Sequence, residues 1–134
     1  MTKKELKQKL DFHNINDDDI LHFAGVTDKM VMSTSRKREI VMARDLMMVN
    51  LWANTSATLT KVGKLYGKDH ATIIYSIKKV SNALDGYNNN EMVDLIKAIR
   101  TRNTSMKADV DNSVNEMIAL INLESRIYNL AVAV

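Results

Sequence analysis

Asp69-His70-Ala71-Thr72 is the run of this 134-residue chain best suited to recognition chemistry. A carboxylate, an imidazole and a hydroxyl stand beside a small methyl group, so hydrogen-bonding atoms could be brought close to the edges of bases. Lys68 precedes the run, and Tyr75, Lys78 and Lys79 follow it. The two later lysines suit phosphates rather than bases. A second basic cluster, Arg36-Lys37-Arg38, lies upstream. Between residues 36 and 82, Lys and Arg number nine and Asp and Glu three, giving +6, while the whole chain is only +3. The remainder therefore sums to −3. Phosphate binding needs such local density, not merely a basic total.

The elements that would position these groups follow from apolar spacing. A long helix is predicted from about Glu39 to Ala53, with apolar residues on more than one face, as suits a central helix. Asn54 to Thr58 forms a polar break. Leu59, Val62, Leu65 and Tyr66 mark a short helix, and Gly67-Lys68-Asp69 a turn. From His70 to Leu84 the spacing of Ile73, Ile77, Val80 and Leu84 puts one stripe on the core at 100° per residue. Ala71, Tyr75, Lys78, Lys79 and Asn82 then point away, with Thr72 at the edge. Asp69 is the expected N-cap, because a carboxylate accepts from the free amides of a first turn. Long helix, short helix, glycine turn and a helix with a polar outer face is the order of a helix-turn-helix DNA reader.

Three stretches also resemble a known family: Ser35 to Arg44, Leu59 to Gly63, and Tyr66-Gly67-Lys68-Asp69-His70-Ala71-Thr72-Ile73. They are similar to the C-terminal DNA-binding domain of the bacterial replication initiator DnaA, an all-helical, Trp-repressor-like helix-turn-helix. Its signature runs approximately A-R-Q, L-x-x-I-G, F-G-G-R-D-H-T-T-V. The resemblance covers roughly residues 17 to 84. It implies that Arg36 enters a minor groove, that Arg44 contacts the DNA backbone, and that Lys61 lies at the end of a helix pair clamping phosphates. It implies that Lys68, Asp69, His70, Ala71 and Thr72 read the major groove. Asp45 stands where Gln is usual, Thr60 where Pro often begins the short helix, and Lys68 where Arg is usual, with one glycine missing before it. Ala71 replaces a threonine; its methyl packs on a thymine methyl but forms no hydrogen bond. The recognised site is therefore expected to differ from the initiator's own.

Elsewhere the residues read as scaffold. Residues 3–12 place Leu6 and Leu10 four apart among lysines, giving either a solvated leading helix or a basic arm. Asn14 to Asp19, near His13 and His22, has neither the glycine nor the distal glutamate of a calcium loop. Asp17 or a neighbour is expected to cap a helix ending at Gly25. Thr27 or Asp28 caps a short turn, and Ser33-Thr34-Ser35 is a flexible lead-in to the basic cluster. Cations at a helix start oppose the macrodipole, which suggests that they answer to something outside the chain. Trp52 reads as core. Aromatics are 5% and scattered, favouring duplex over single strands, with Tyr75 reaching a phosphate or a base edge.

After the break at Asp85 to Asn90, Met92, Leu95, Ile96 and Ile99 make another amphipathic helix, which Thr101 to Ser105 breaks or bends. Leu120, Leu123, Ile127, Leu130 and Val134 then repeat at 3, 4, 3 and 4, continued imperfectly upstream by Met106, Val110 and Met117. That seam either folds back or serves dimerisation or a protein partner through residues 106–134.

The chain has no Pro, no Cys, four Gly and nine Met, favouring long helices and excluding disulfides and thiolate metal sites. No apolar run spans a bilayer and no secretory h-region opens the chain, so a cytoplasmic place is expected. Neither a nucleophile–base pairing nor a P-loop is present. The expectation is an all-α, non-enzymatic protein without metal, nucleotide or other cofactor. It divides into an arm at 1–16, a helix-turn-helix domain at 17–84 and a helical extension at 85–134. It lacks the initiator's ATPase module and binds specific double-stranded DNA as an accessory regulator of replication or transcription in a bacterium, phage or mobile element. The rival reading is a helical protein-interaction module.

Overall fold

The computed structural model describes residues 2–87 and 91–133; the side chains of 104–109 and 123–133 lie outside that description. Its elements are α1 (Lys3–Phe12), α2 (Asp17–Ala24), α3 (Asp28–Val31), α4 (Arg38–Asn54), α5 (Leu59–Tyr66), α6 (His70–Leu84) and α7 (Glu91–Ala133). The fold is all-α. Two compact units divide after Arg100. Among the described residues no helix is long and apolar enough to cross a membrane.

In the first unit α4 is the hub, touching α1, α2, α3, α5 and α6. Ala43, Leu46, Met48 and Val49 are completely buried and occupy several faces of α4. The main core joins Ala43, Leu46 and Val49 to Ile20 of α2, Val80 of α6 and Ile96 and Ile99 of α7. A smaller cluster, Met48, Val62 and Ile73, fastens α5 to α4 and α6 and so fixes the angle of the helix pair. Trp52 packs half-buried against both clusters.

The expected boundaries shift in two places. α1 is neither an arm nor a solvated helix, because Leu6 and Leu10 are 0% exposed in the main core. Lys3 Nζ donates to the carbonyls of Thr55 (3.0 Å) and Ala57 (2.7 Å), binding α1 to the end of α4. Lys9 pairs with Asp85 at 2.7 Å, at the end of α6. Similarly, Met92, Val93, Leu95, Ile96 and Ile99 belong to the first unit's core rather than to a separate extension. α7 then continues through Thr101 to Ser105 without the expected break. Polar residues there cost some helix propensity, but none removes a donor from the ladder as Pro would.

Local chemistry sets the ends. Asn16, the neighbour of Asp17, caps α2, its Oδ1 accepting from Asp19 N–H at 2.9 Å while its Nδ2 donates to the Asp19 carboxylate. Thr27 caps α3, and Gly25 closes α2 in the left-handed region at φ 70°. The acidic run is thus engaged in capping, and Asp17 accepts from Asn50 Nδ2 at 3.1 Å. Of the expected seam, Met106, Leu123, Ile127, Leu130 and Val134 lie outside the described residues.

His13 sits at the junction of α1 with the end of α6, its Nε2 3.1 Å from the Leu84 carbonyl. Its Nδ1 is buried without a partner. Burial pushes the imidazole below its ordinary 6.5; the nearby Arg100 acts the same way, against the Leu84 hydrogen bond and Asp85. The unfolded chain therefore takes up this proton at a higher pH than the folded one. The stabilising contribution is full above about pH 6.5 and is lost as pH falls toward the folded value. Urea midpoints should drop between pH 7.5 and 5.5, and His13→Gln should flatten that drop; an equal drop in the variant would assign it to other groups.

Candidate nucleic-acid interface

The turn between α5 and α6 is made tight by two glycines. Gly67 adopts φ 67° and Lys68 N–H donates back to the Gly63 carbonyl at 2.7 Å. A Cβ on Gly63 would collide with the carbonyl oxygen of Lys68, so only glycine admits the turn at this distance. Asp69 follows as N-cap of α6. Its carboxylate accepts from both Thr72 N–H and Thr72 Oγ–H, each at 2.8 Å. Those two bonds, the amide's first, hold the Asp69 carboxyl below its usual range, against a small opposing effect of burial. The Thr72 hydroxyl proton is thereby committed, leaving its oxygen as an acceptor.

On α6, Ile73, Ser76, Val80, Ala83 and Leu84 face inward. His70, Ala71, Lys78 and Asn82 are exposed, and Tyr75 stands out at 63% exposure. The outward set is the expected one without Lys79, which is half-buried, and with Ile74 added. Lys61 on α5 is exposed and Lys68 half-buried. Lys64, three residues after Lys61 and equally exposed, was not among the expected contacts. The i, i+3 spacing of the two lysines was the available signal.

Arg36, Lys37 and Arg38 are exposed at the start of α4. Arg36 and Arg38 border a depression of about 720 Å³ whose other walls include Lys79 of α6 and Glu91 and Asp94 of α7. The basic cluster therefore lies beside α6, next to the side bearing Tyr75 and Lys79, whose ammonium stands 5.4 Å from the Tyr75 ring centre. Arg38 is paired with Glu91 at 2.9 Å, both ends largely in solvent.

Two expected contacts are turned inward. Arg44 is 3% exposed, and its guanidinium donates to the carbonyls of Val31 (2.8 Å), Ser33 (2.7 Å) and Ser35 (3.1 Å). Its guanidinium is turned into the domain, where it fixes the segment that carries Arg36. Ser33 to Ser35 is accordingly not a free lead-in, since hydroxyls of Ser33 and Ser35 also accept from the amides of Ser35 and Lys37. Lys79, expected on a phosphate, donates to Asp45 Oδ2 at 2.6 Å. The other Asp45 oxygen accepts from Ser76 Oγ at 2.8 Å.

Residues 18–80 match the family model described as the bacterial dnaA protein helix-turn-helix. Residues 18–80 carry a DnaA-type helix-turn-helix domain. Among similar proteins, the chromosomal replication initiator protein DnaA of Kosmotoga olearia is 34% identical over 84 residues, covering 63% of this chain and 19% of that protein. The protein of the same name from Ureaplasma parvum is 40% identical over 72 residues, 53% of this chain and 16% of that one. That of Thermus thermophilus is 32% identical over 80 residues, 59% and 18%. The chain thus spans less than a fifth of the length of these curated relatives. A helix-turn-helix of this family is a binding element rather than a catalytic one, and it implies DNA binding.

The DnaA-type domain needs more chain than the matched stretch, since α1 and the first turns of α7 complete its core. Arg44 tests the positioning role assigned above. Arg44→Ala should lower unfolding free energy by about 3 kcal/mol, because buried carbonyls lose charge-assisted donors. Arg44→Lys should recover little, an ammonium being unable to span all three. Weakened DNA binding with unchanged stability would instead make Arg44 a direct contact.

Proposed function

We propose that the DnaA-type domain binds specific double-stranded DNA, and that the protein is an accessory regulator of replication or transcription in the cytoplasm of a bacterium or in its phages or mobile elements. The observation that carries this reading is the outer face of α6. Its start presents Asp69, His70 and Ala71 to solvent, with Tyr75 and Lys78 one and two turns on, beside the exposed Arg36 and Lys37. In this reading the N-terminal turn of α6 enters a major groove, where Ala71 offers a methyl and His70 a hydrogen-bonding ring. Arg36 lies in the adjacent minor groove. Lys61, Lys64, Lys68 and Lys78 contact phosphates and hold the register.

A protein-interaction module is the second reading, and one observation favours it: Val110, Met117 and Leu120 of α7 are each at least 60% exposed. Both readings can hold together.

Salt titration separates them. Affinity for random duplex should fall steeply with salt, and Arg36→Ala or Lys78→Ala should each reduce the logarithmic slope by roughly one. Lys79→Met should leave that slope unchanged and lower stability instead. A flat salt response would leave only the interaction module. Selection from a random duplex pool should then enrich one sequence. Ala71→Thr, which adds a hydroxyl, should change the preferred base at one position of that sequence while the salt slope stays as it was. A preference altered at every position, or at none, would remove Ala71 from the reading face.

A further inference from the structure

The second unit, residues 101–134, is the C-terminal part of α7, and a single helix cannot bury its own apolar side chains. Val110, Val114, Met117 and Ile121 are all at least half exposed and repeat at 4, 3 and 4. That is the period of a seam between two helices. Ile118 and Leu120, equally exposed, widen it. The strip also carries a hollow walled by Val110, Ser113, Val114 and Met117. Positions i, i+3, i+4 and i+7 are the four that receive one side chain of a facing helix in knobs-into-holes packing.

Charge indicates the occupant. Residues 97–107 hold Lys97, Arg100, Arg102 and Lys107 and no acid. Residues 109–124 hold Asp109, Asp111, Glu116 and Glu124 and no cation. Two such helices laid parallel would set like charge on like along their whole length. Laid antiparallel, the cationic stretch of each runs beside the acidic stretch of the other, well within a Debye length of about 8 Å. A pattern complementary to its own reverse is what a closed two-fold interface requires.

We propose that this strip is covered by residues 100–124 of a second copy of the chain, running antiparallel. With the two-fold axis near Asn112, Val110 of one copy meets Val114 of the other, at the hollow. The same register levels Lys107 with the turn of Glu116, and Arg102 with the turn of Glu124. The proposal holds whether or not the proposed function is right.

Sedimentation of the full chain tests it. The wild type should form a dimer at micromolar concentration. Met117→Asp should be monomeric with unchanged helical circular dichroism and unchanged melting of the first unit. Glu116→Lys, whose contact occurs twice per dimer, should raise the dimer Kd about tenfold. Orientation is read by introduced cysteines, since the chain has none. Thr101→Cys and Leu123→Cys chains should form a mixed disulfide with each other and little with themselves. Self-linking of each variant without the mixed product would overturn the antiparallel arrangement. A wild type that stays monomeric, or a dimer that survives Met117→Asp, would overturn the interface itself.

Discussion

Two consecutive residues of α4 hold the exposed basic segment and the outer helix of this domain in place. Arg44 and Asp45 are both buried, and burial of an ion costs several kcal/mol unless its bonds are met. Neither charge answers the other. Adjacent positions on a helix point about 100° apart, so the guanidinium turns to the carbonyls of 31–35 and the carboxylate to Ser76 and Lys79. One central helix thereby grips the segment leading to Arg36 on one side and α6 on the other. Apolar residues of equal volume would often serve stability as well. What the charges add is direction, because a fork of N–H donors fits only one path of the 31–35 backbone.

The turn before α6 applies the same logic over fewer residues. Gly63 lets the Lys68 carbonyl approach, Gly67 reverses the chain, and Asp69 binds the first turn of α6 through Thr72. The cap's negative charge also complements the helix dipole, which matters because His70, Ala71 and Thr72 bring no acid of their own. An exposed carboxylate between Lys68 and His70 is an odd choice for a surface proposed to meet phosphates. It makes sense once its two bonds to Thr72 are seen: structure is its first duty, and its remaining acceptor capacity faces outward.

Legibility in the sequence followed the strength of local signals. α6 runs from His70 to Leu84 as its spacing predicts, because Asp69 starts it and Asp85-Gly86 stops it. The docking of α1 was hidden, though not its helix, because only two of its residues are buried and a pair of leucines among lysines reads equally as a solvated helix. Arg44 was misassigned through the resemblance, although the residues held the corrective. A helix apolar on several faces has no solvent side for charges in its middle, so Arg44 and Asp45 had to be buried and bonded. Lys79 followed from the same omission. Which cations a core acid will claim depends on tertiary neighbours that spacing does not reveal.

The remaining charge is unevenly compensated. Lys37 is the N-cap of α4 with no side-chain bond to the first turn, and cations there oppose the helix dipole. The fold answers for Arg38 through Glu91, an acid placed in the first turn of α7, where it is favourable in its own right. Among the described residues Arg36 and Lys37 make no ion pair. A chain folding for stability alone has no use for two unpaired cations beside a third, at the end of a helix that prefers anions. Their presence, next to a depression shared with α6 and within a segment braced by Arg44, is what a surface built to receive an external polyanion requires. The cost to α4 is small; under the proposed function it is relieved when phosphate arrives, so the feature that slightly weakens the free domain would strengthen its complex.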